Sequence, residues 1–259
     1  MPQAPYFHSS SALLERLSNS LNRRPQQVVF LVGSPLSAPP SPGMPGVPGV
    51  DGVIELIRKE FEGDSSQATA ALQAFDHSGP NRYQAAFVFL QGRRGQQTAN
   101  EIVRAAVLGA WISTPLAIAG IDQPSIDDTC RAREFDLAGW AINSGTEALG
   151  KLITRYPERF GRSLLTTNFD PLLEVAIRRA GGNYFRTTLH ADGNLSQTEG
   201  TGCHVIHLHG YWYGSDTLHT SRQLSQTLRA SGLHSVHYCG KNWSWSVLMA
   251  GGMMPSRKL

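Results

Sequence analysis

The sequence has few cysteines, no long apolar run and no block of like charge, and each absence excludes a class of protein. Its three cysteines, Cys130, Cys203 and Cys239, lie far apart without Cys-x-x-Cys spacing, so they predict neither a disulfide framework nor a zinc ribbon. No stretch approaches the ~20 apolar residues of a membrane-spanning helix, and residues 1–27 lack the apolar segment of a signal peptide. We therefore expect a cytoplasmic protein with reduced thiols, no metal site and no membrane contact.

The charge of the chain is small and dispersed. The formal net charge is +3, and lysine and arginine form no concentrated block, so direct nucleic-acid binding is not expected. With 41% hydrophobic and 17% charged residues in 259, the composition is that of a globular protein with one large or two small domains. The charge does not exclude acidic small molecules as ligands.

Helical and strand patterns alternate along the chain. The amphipathic pattern of residues 9–22 predicts a first helix, and the β-branched run at 27–32 predicts a strand buried on both faces of a parallel sheet. A Pro/Gly-rich loop follows at 35–49, and Asp51 is predicted to cap the next helix. Beyond it the pattern is helical as far as about residue 150, with candidate segments at 68–75, 83–90 and 98–111.

Further strands are predicted at 163–167, 184–189 and 204–208, with a helix at 171–180 that ends at Gly181 and Gly182. Strands that alternate with helices predict an α/β fold with a doubly wound, Rossmann-like parallel sheet. The predicted organisation is an N-terminal helix in 1–27, one domain over 28–228 with a helical insertion at about 62–150, and a tail at 229–259. Such sheets bind ligands at the carboxyl ends of their strands.

Two short motifs follow predicted strands. Residues 33–37 read GSPLS, and Gly33 with its small neighbours would let backbone amides approach a phosphate; a simple tight turn is the alternative. Residues 165–170 read LTTNFD, which brings the amide of Asn168 and the carboxylate of Asp170 to a strand end. The alternatives are an Asx turn for Asn168 and a helix N-cap for Asp170, which precedes a proline.

A third motif, HVIHLHG at residues 204–210, contains three histidines. The strand period of two places Val205, His207 and His209 on one face, with His209 at the strand end. We expect His207 to be a hydrogen-bonded core histidine. A zinc site formed by Cys203, His207 and His209 is an alternative, although it lacks a fourth ligand.

In order, spacing and setting, the three motifs resemble those of the sirtuin family over about residues 28–224. The family's GAGxS loop and its GIPD are echoed by GSPLS and by GVP at 46–48, its TQNID by TTNFD, and its LHG by residues 208–210. Sirtuin deacylases carry a four-cysteine zinc module after the asparagine motif, whereas here the insertion is helical, poor in cysteine and precedes Asn168. The chain therefore resembles the variants of bacterial antiphage defence proteins, which hydrolyse NAD and are usually fused to a sensor.

This resemblance implies that NAD is the substrate and that it is hydrolysed to nicotinamide and ADP-ribose. It implies that His209 is a general base toward a ribose hydroxyl or water, for which an ordinary histidine pKa of ~6.5 is suitable. Asn168 would orient the water or the ribose, and Asp170 would support the ribose or the loop. The residues expected to bind NAD are Gly33, Ser34, Ser37, Asp170 and Gly210, of which Gly33, Ser34 and Ser37 would face the phosphates.

Pro35 departs from the family pattern, because it stands where the loop has its second glycine. Proline lacks an N–H and fixes φ, which weakens the expected phosphate contacts. This favours an alternative function, a non-catalytic module that binds NAD or ADP-ribose and reports it to a partner. A sensor subunit or a second copy of the chain would be that partner. A protein deacylase is a second alternative, which the missing zinc module disfavours.

The tail at residues 229–259 does not fit the rest of the chain. A sirtuin-like sheet needs a late apolar strand and a glycine-rich turn for the adenosine end of NAD, whereas the tail contains histidine, tryptophan and methionine without a usable period. Back-translated codons for 242–255, read from the third base, permit LVVV followed two residues later by YGGWDDA. We therefore predict a frame change near residues 222–230, which would leave a truncated product that could lack activity.

Overall fold

A computed structural model of the protein describes residues 9–25, 28–63, 81–113, 125–160 and 163–230, together with 69–70, 73, 75, 79, 238–239 and 242–243. In this part of the chain the helices are α1 (Ser10–Arg23), α2 (Val50–Glu60), α3 (Arg82–Leu108), α4 (Ile126–Phe135), α5 (Ser144–Arg155), α6 (Leu172–Arg179) and α7 (Ser221–Ala230). The strands are β1 (Phe30–Val32), β2 (Ser163–Thr166), β3 (Tyr184–Leu189), β4 (Leu195–Gln197), β5 (Cys203–His207), β6 (Tyr238–Cys239) and β7 (Asn242–Trp243).

Five of these strands form one sheet in the order β1, β2, β5, β3, β4. The first four are parallel to one another, and β4 is antiparallel to β3 at one edge. Parallel neighbours require long crossover connections. Helices lie between β1 and β2 and between β2 and β3, whereas the connection from β3 to its parallel neighbour β5 contains the edge strand β4. The prediction of an α/β fold with a Rossmann-like, mostly parallel sheet is confirmed.

The central position of β5 explains its alternating pattern. Cys203, Val205 and His207 are buried, and the residues between them are only partly so. By contrast, β1 lies at an edge, where Leu31 is 42% exposed. The prediction that residues 27–32 form a strand buried on both faces is therefore wrong: the strand is shorter and, in the described residues, pairs on one side only, with β2.

Two hydrophobic clusters hold the helices in place. The smaller lies between the sheet and the pair α5 and α6, which pack closely because Gly150 has no side chain where it meets Ala176. Its buried members are Leu149, Ile153, Leu164, Leu173, Ile177, Cys203 and Val205. The larger cluster joins α2, α3 and α4 to the start of α6 and to Tyr211 and Trp212 after β5. The insertion therefore shares its core with the sheet domain.

Several predicted boundaries move by one or two residues. The N-cap of α2 is Gly49, and Asp51 lies in the first turn of the helix rather than capping it. The helix predicted at 171–180 spans Leu172–Arg179 and ends, as predicted, at Gly181, whose φ is 84°. The strand that contains the start of the histidine motif, β5, spans Cys203–His207 rather than 204–208, so His209 lies beyond its end.

The predicted segments 83–90 and 98–111 lie on either side of a kink in α3, except that the helix ends at Leu108. The kink is at Gly95, which has φ 86° and ψ 177°. Half of the segment predicted at 68–75 lies outside the described residues. In the tail, β6 and β7 form an antiparallel pair, and residues 244–259 lie outside the description. Among the helices described, none is both long and apolar enough to cross a membrane.

Candidate functional site

A cleft opens at the carboxyl ends of β1, β2 and β5, where the three sequence motifs meet. Its volume is about 260 Å³, and it is bounded by the loop after β1, the start of α2, both ends of α3 and the segment after β5. Five predicted site residues line it: Ser34, Ser37, Asn168, Asp170 and His209. Much of the remaining lining is apolar and includes Val47, Val53, Val103 and Leu218.

Asn168 is buried and held at three points. Its backbone N–H donates to the Thr166 Oγ1 atom at 3.0 Å, and its carbonyl accepts from the His207 Nδ1 atom at 2.8 Å. Its side-chain Nδ2 donates to the Ser37 Oγ atom at 2.7 Å. The side chain that forms this turn is that of Thr166, which accepts from the backbone N–H two residues later. It is therefore not the Asx turn that was the alternative for Asn168. The oxygen Oδ1, for which we find no donor among the described residues, is left to bind a ligand.

Ser37 links the loop after β1 to both polar residues of the second motif. It accepts from Asn168 and donates to the Asp170 carboxylate, which also accepts from the Leu172 N–H at 3.1 Å. Burial raises the pKa of Asp170, although the bonds from Ser37 and Leu172 oppose this. The N-cap of α6 is Pro171, so the N-cap predicted at Asp170 is displaced by one residue; the Asp170 carboxylate instead accepts from the N–H of Leu172, the first residue of the helix.

The loop of the first motif is a 3₁₀ turn, from Ser34 to Leu36, with Pro35 near its start. The N–H groups of Leu36, Ser37 and Ala38 all donate to carbonyls of Gly33 or Ser34, so they are not directed at a ligand. The side-chain amide of Asn143, the N-cap of α5, donates to the carbonyls of Leu36 at 2.9 Å and of Ala38 at 3.1 Å. The helical insertion, which contains Asn143, thus holds the loop in place. The groups with which the loop could contact a ligand are serine hydroxyls rather than a series of backbone amides.

His209 lines the cleft just beyond β5. The residue is partly exposed, but its Nε2 atom is shielded from solvent and has no hydrogen-bond partner in the described part of the chain. Burial lowers the pKa of His209 from 6.5 to about 4, which corrects the expectation of a value near 6.5. His209 is therefore neutral at pH 7, and an unpartnered ring nitrogen of this kind is costly unless a ligand supplies a donor.

Sequence reasoning missed a second histidine of the cleft, His219. Its ring stacks on Phe87 with centroids 3.5 Å apart, and its nitrogens contact the Tyr83 hydroxyl at 3.1 Å and the Thr217 Oγ1 atom at 2.7 Å. Because Thr217 donates to the Asn100 Oδ1 atom, it accepts from His219, and the other ring nitrogen accepts from Tyr83. Burial lowers the pKa of His219 well below 6.5, so this ring is also neutral.

The model of the SIR2-like domain family matches residues 162–246, which include the second and third motifs. The matched part contains β2, the asparagine at its end, and β5 with the histidine that follows it. Over these residues the chain is similar to SIR2-like domains. No curated protein matches the chain. The matched range continues past residues 222–230, and the frame change predicted there stays a prediction.

Two glycines predicted to bind NAD, Gly33 and Gly210, are not part of the lining of the cleft. Gly210 has φ 89°, and a Cβ atom there would lie 2.5 Å from the Asp216 carbonyl oxygen, so this position needs glycine. A Cβ atom on Gly33 would lie 3.1 Å from the Thr167 Oγ1 atom, a side-chain contact that a small shift of Thr167 would relieve. The contact of both glycines with NAD stays a prediction.

The histidine inside β5 is a core residue, as predicted. His207 is fully buried, with one ring nitrogen at 2.8 Å from the Asn168 carbonyl and the other at 2.8 Å from a Glu174 carboxylate oxygen. Neither nitrogen is free for a metal, which removes the zinc site considered for Cys203, His207 and His209. Within the described ranges, no group of three or more His, Cys, Asp or Glu side chains could hold a metal ion.

Proposed function

We propose that the protein binds NAD at this cleft and hydrolyses it to nicotinamide and ADP-ribose. The observation that supports this most strongly is the meeting of Asn168, whose side-chain oxygen is left for a ligand, with His209, whose Nε2 atom is buried without a partner. Both groups can accept hydrogen bonds from hydroxyl groups or water. A ribose and an attacking water supply such donors.

The shape of the cleft suits one end of NAD. Its volume of about 260 Å³ is at the lower limit of ligand cavities, which span about 300 to 1,000 Å³. It would therefore enclose the nicotinamide and its ribose, with the rest of the molecule along the open rim. Gly49 and Val50 at the start of α2 border the cleft, and a helix N-terminus favours phosphate oxygens. The apolar walls would surround the flat nicotinamide ring.

The proposed reaction breaks the bond between the ribose C1′ atom and the nicotinamide nitrogen. The electron pair of this bond leaves with nicotinamide, which becomes neutral, and a water oxygen bonds to C1′. The proton that this water loses passes through His209 to solvent. A pKa of about 4 makes His209 a weak base that is always unprotonated at neutral pH, so its main contribution would be to orient the hydroxyl group it accepts from.

Hydrolysis can be tested by incubating the purified protein with NAD and measuring nicotinamide by chromatography. We expect Asn168→Ala and His209→Ala each to lower the rate at least about 100-fold, the lower range for loss of a positioned acid–base group. Asn194→Ala, a change in an exposed turn, is the matched control and should have the wild-type rate. Equal turnover by wild type and both site variants would refute the proposal.

A non-catalytic module that binds NAD or ADP-ribose is the second candidate, and two observations favour it. The amides of residues 36–38 are used within the loop, and the pKa of His209 of about 4 reduces its strength as a base. The same assay separates the two functions. A thermal midpoint that rises with NAD while no nicotinamide appears would indicate binding alone.

An antiphage role in the bacterial cytoplasm, with a sensor domain or subunit and self-association of the chain, is part of the same proposal. It is supported by the resemblance of the motifs and by the cysteine-poor helical insertion that precedes the asparagine motif. Its test is whether expression of the chain lowers cellular NAD and phage yield together. Asn168→Ala should abolish both effects.

A further inference from the structure

Beneath the cleft, four buried side chains of alternating charge form a continuous row. The Glu134 Oε1 and Arg186 Nη1 atoms are 2.8 Å apart, and Arg186 Nη1 and Glu174 Oε1 are 3.7 Å apart. Glu174 Oε1 then lies 2.8 Å from the His207 Nε2 atom. The four residues are at most 8% exposed. They come from α4, β3, α6 and β5, so the row runs from the insertion to the strand that precedes His209.

The row is restrained along its length. Tyr184 and Tyr213 donate from their hydroxyls to the Glu134 carboxylate at 2.8 Å and 2.6 Å. The Arg186 guanidinium lies 3.7 Å from the centre of the Tyr211 ring. These contacts fix Glu134 and Arg186, and Arg186 lies at ion-pair distance from the same Glu174 oxygen that contacts His207.

The hydrogen bonds of His207 connect the row to the backbone of Asn168. A carbonyl only accepts, so the bond to Asn168 requires a proton on the Nδ1 atom of His207. Burial alone would raise the pKa of Glu174, but the charges of His207 and Arg186 outweigh it and lower that pKa. With its Nδ1 atom donating to Asn168, His207 places its Nε2 atom 2.8 Å from the Glu174 Oε1 atom. A charge-assisted pair therefore holds the imidazole, and the imidazole holds the carbonyl of Asn168.

We propose that Glu174 and His207 are positioning residues that orient Asn168 for its ligand; the inference rests on the proposed function of Asn168. The backbone of Asn168 is fixed by His207 on one side and by Thr166 on the other. Its side chain then reaches Ser37, and this leaves Oδ1 for the ligand. Without the pair of Glu174 and His207, the carbonyl of Asn168 loses its hydrogen-bond donor. The backbone of Asn168 is then less restrained, and so is the orientation of its side chain.

Packing alone does not explain the row. Burying charges costs several kcal/mol for each ion, and apolar residues of similar volume often stabilise a core equally well. What an apolar replacement could not supply is an N–H at a defined distance from the Asn168 carbonyl.

The test compares Glu174→Gln with the wild-type 259-residue protein. Glutamine keeps the volume and the acceptor oxygen but removes the charge that holds His207. The matched control is Glu147→Gln on α5, where the glutamate is exposed and 3.7 Å from Lys151. For each protein, kcat and KM for NAD hydrolysis are measured, and the exchange of the Asn168 side-chain amide protons is followed by NMR.

We expect Glu174→Gln to lower kcat at least tenfold, with KM within twofold, and to speed exchange of the Asn168 amide at least tenfold. The control should change neither quantity. Wild-type kcat with unchanged amide exchange in Glu174→Gln would overturn the inference. If the wild-type protein does not turn over NAD, the proposed hydrolysis fails, and the amide exchange alone decides whether the pair positions Asn168.

If Glu174→Gln does not fold, Glu134→Gln takes its place, because it weakens the row at its far end. The expected result is then a smaller change of kcat and amide exchange in the same direction. No change in either quantity, in a folded Glu134→Gln protein, would overturn the inference.

Discussion

Lowering the pH should destabilise the folded protein because of His209, whose pKa is lower in the folded than in the unfolded state. A histidine with the same pKa in both states would have no such effect. The pKa of His209 is lowered from 6.5 to about 4 by burial, so between these values the unfolded chain binds a proton that the folded protein does not. The contribution of neutral His209 to the free energy of unfolding is therefore fully present above pH 6.5 and is lost as the pH drops toward about 4.

The size of this effect follows from the same two pKa values. The decrease from 6.5 to about 4 is worth about 3 kcal/mol at roughly 1.4 kcal/mol per pKa unit. Because His209 is partly exposed, solvent screening reduces the expected effect to about 2 kcal/mol. The change to test is His209→Gln, which is neutral at every pH and keeps a polar side chain at the cleft.

Urea unfolding at fixed pH values from 7.5 to 4 measures the free energies of both proteins. Other titrating groups, including His219, are present in both and largely cancel in the difference. We expect the wild-type protein to lose about 2 kcal/mol more than His209→Gln over this range. Parallel curves for the two proteins would show that His209 is not held neutral by burial, and the account of its unpartnered nitrogen would be wrong.

Three further predictions follow from the structure. Ser37→Ala should cost about 1 to 3 kcal/mol in urea unfolding, since it leaves the buried Asn168 amide without its acceptor and removes one of the two donors to Asp170, which keeps the Leu172 N–H; a cost near zero would contradict the described network. Gly150→Ala should destabilise by about 1 to 3 kcal/mol, because its Cβ atom would lie 2.7 Å from backbone atoms of Ala176. The matched change Gly92→Ala, at an exposed helical site with no atom within 4 Å, should stabilise by about 0.5 to 1 kcal/mol, and equal effects would contradict the difference in packing. A chain with the frame restored near residues 222–230 should have a higher thermal midpoint and a larger increase with NAD than the present chain, and equal midpoints would refute the frame change.

Strong local patterns made much of the sheet predictable. The apolar runs before Asn168 and His209 identified two central strands, and the side chains at their ends meet in one cleft because parallel strands end at the same edge. The strand β4 could not be predicted in this way. All three of its residues are exposed, so it carries no alternating apolar signal and depends on pairing with β3.

The missed site residues depend on contacts that no local pattern contains. His219 reaches the cleft because the chain turns back after β5, with the Leu218 N–H donating to the His209 carbonyl at 2.8 Å. Asn143 has the sequence signal of a helix N-cap, which predicts its bond to Thr146 at 3.0 Å but not its contacts with the loop at 33–38. The low pKa of His209 likewise depends on burial by distant segments.

The break at Gly95 means that the wall of the cleft is built in two pieces. Tyr83 and Gln84 precede this residue in α3, whereas Val103 and Val107 follow it, and all four line the cleft. With φ at 86° and ψ at 177°, Gly95 lies in a region that is essentially restricted to glycine and costs other residues about 1 to 3 kcal/mol. The angle between the two halves of α3, and with it the width of the entrance, is thus set by the backbone of one residue. A change of residue at this joint would alter which ligands fit without touching any side chain that contacts them.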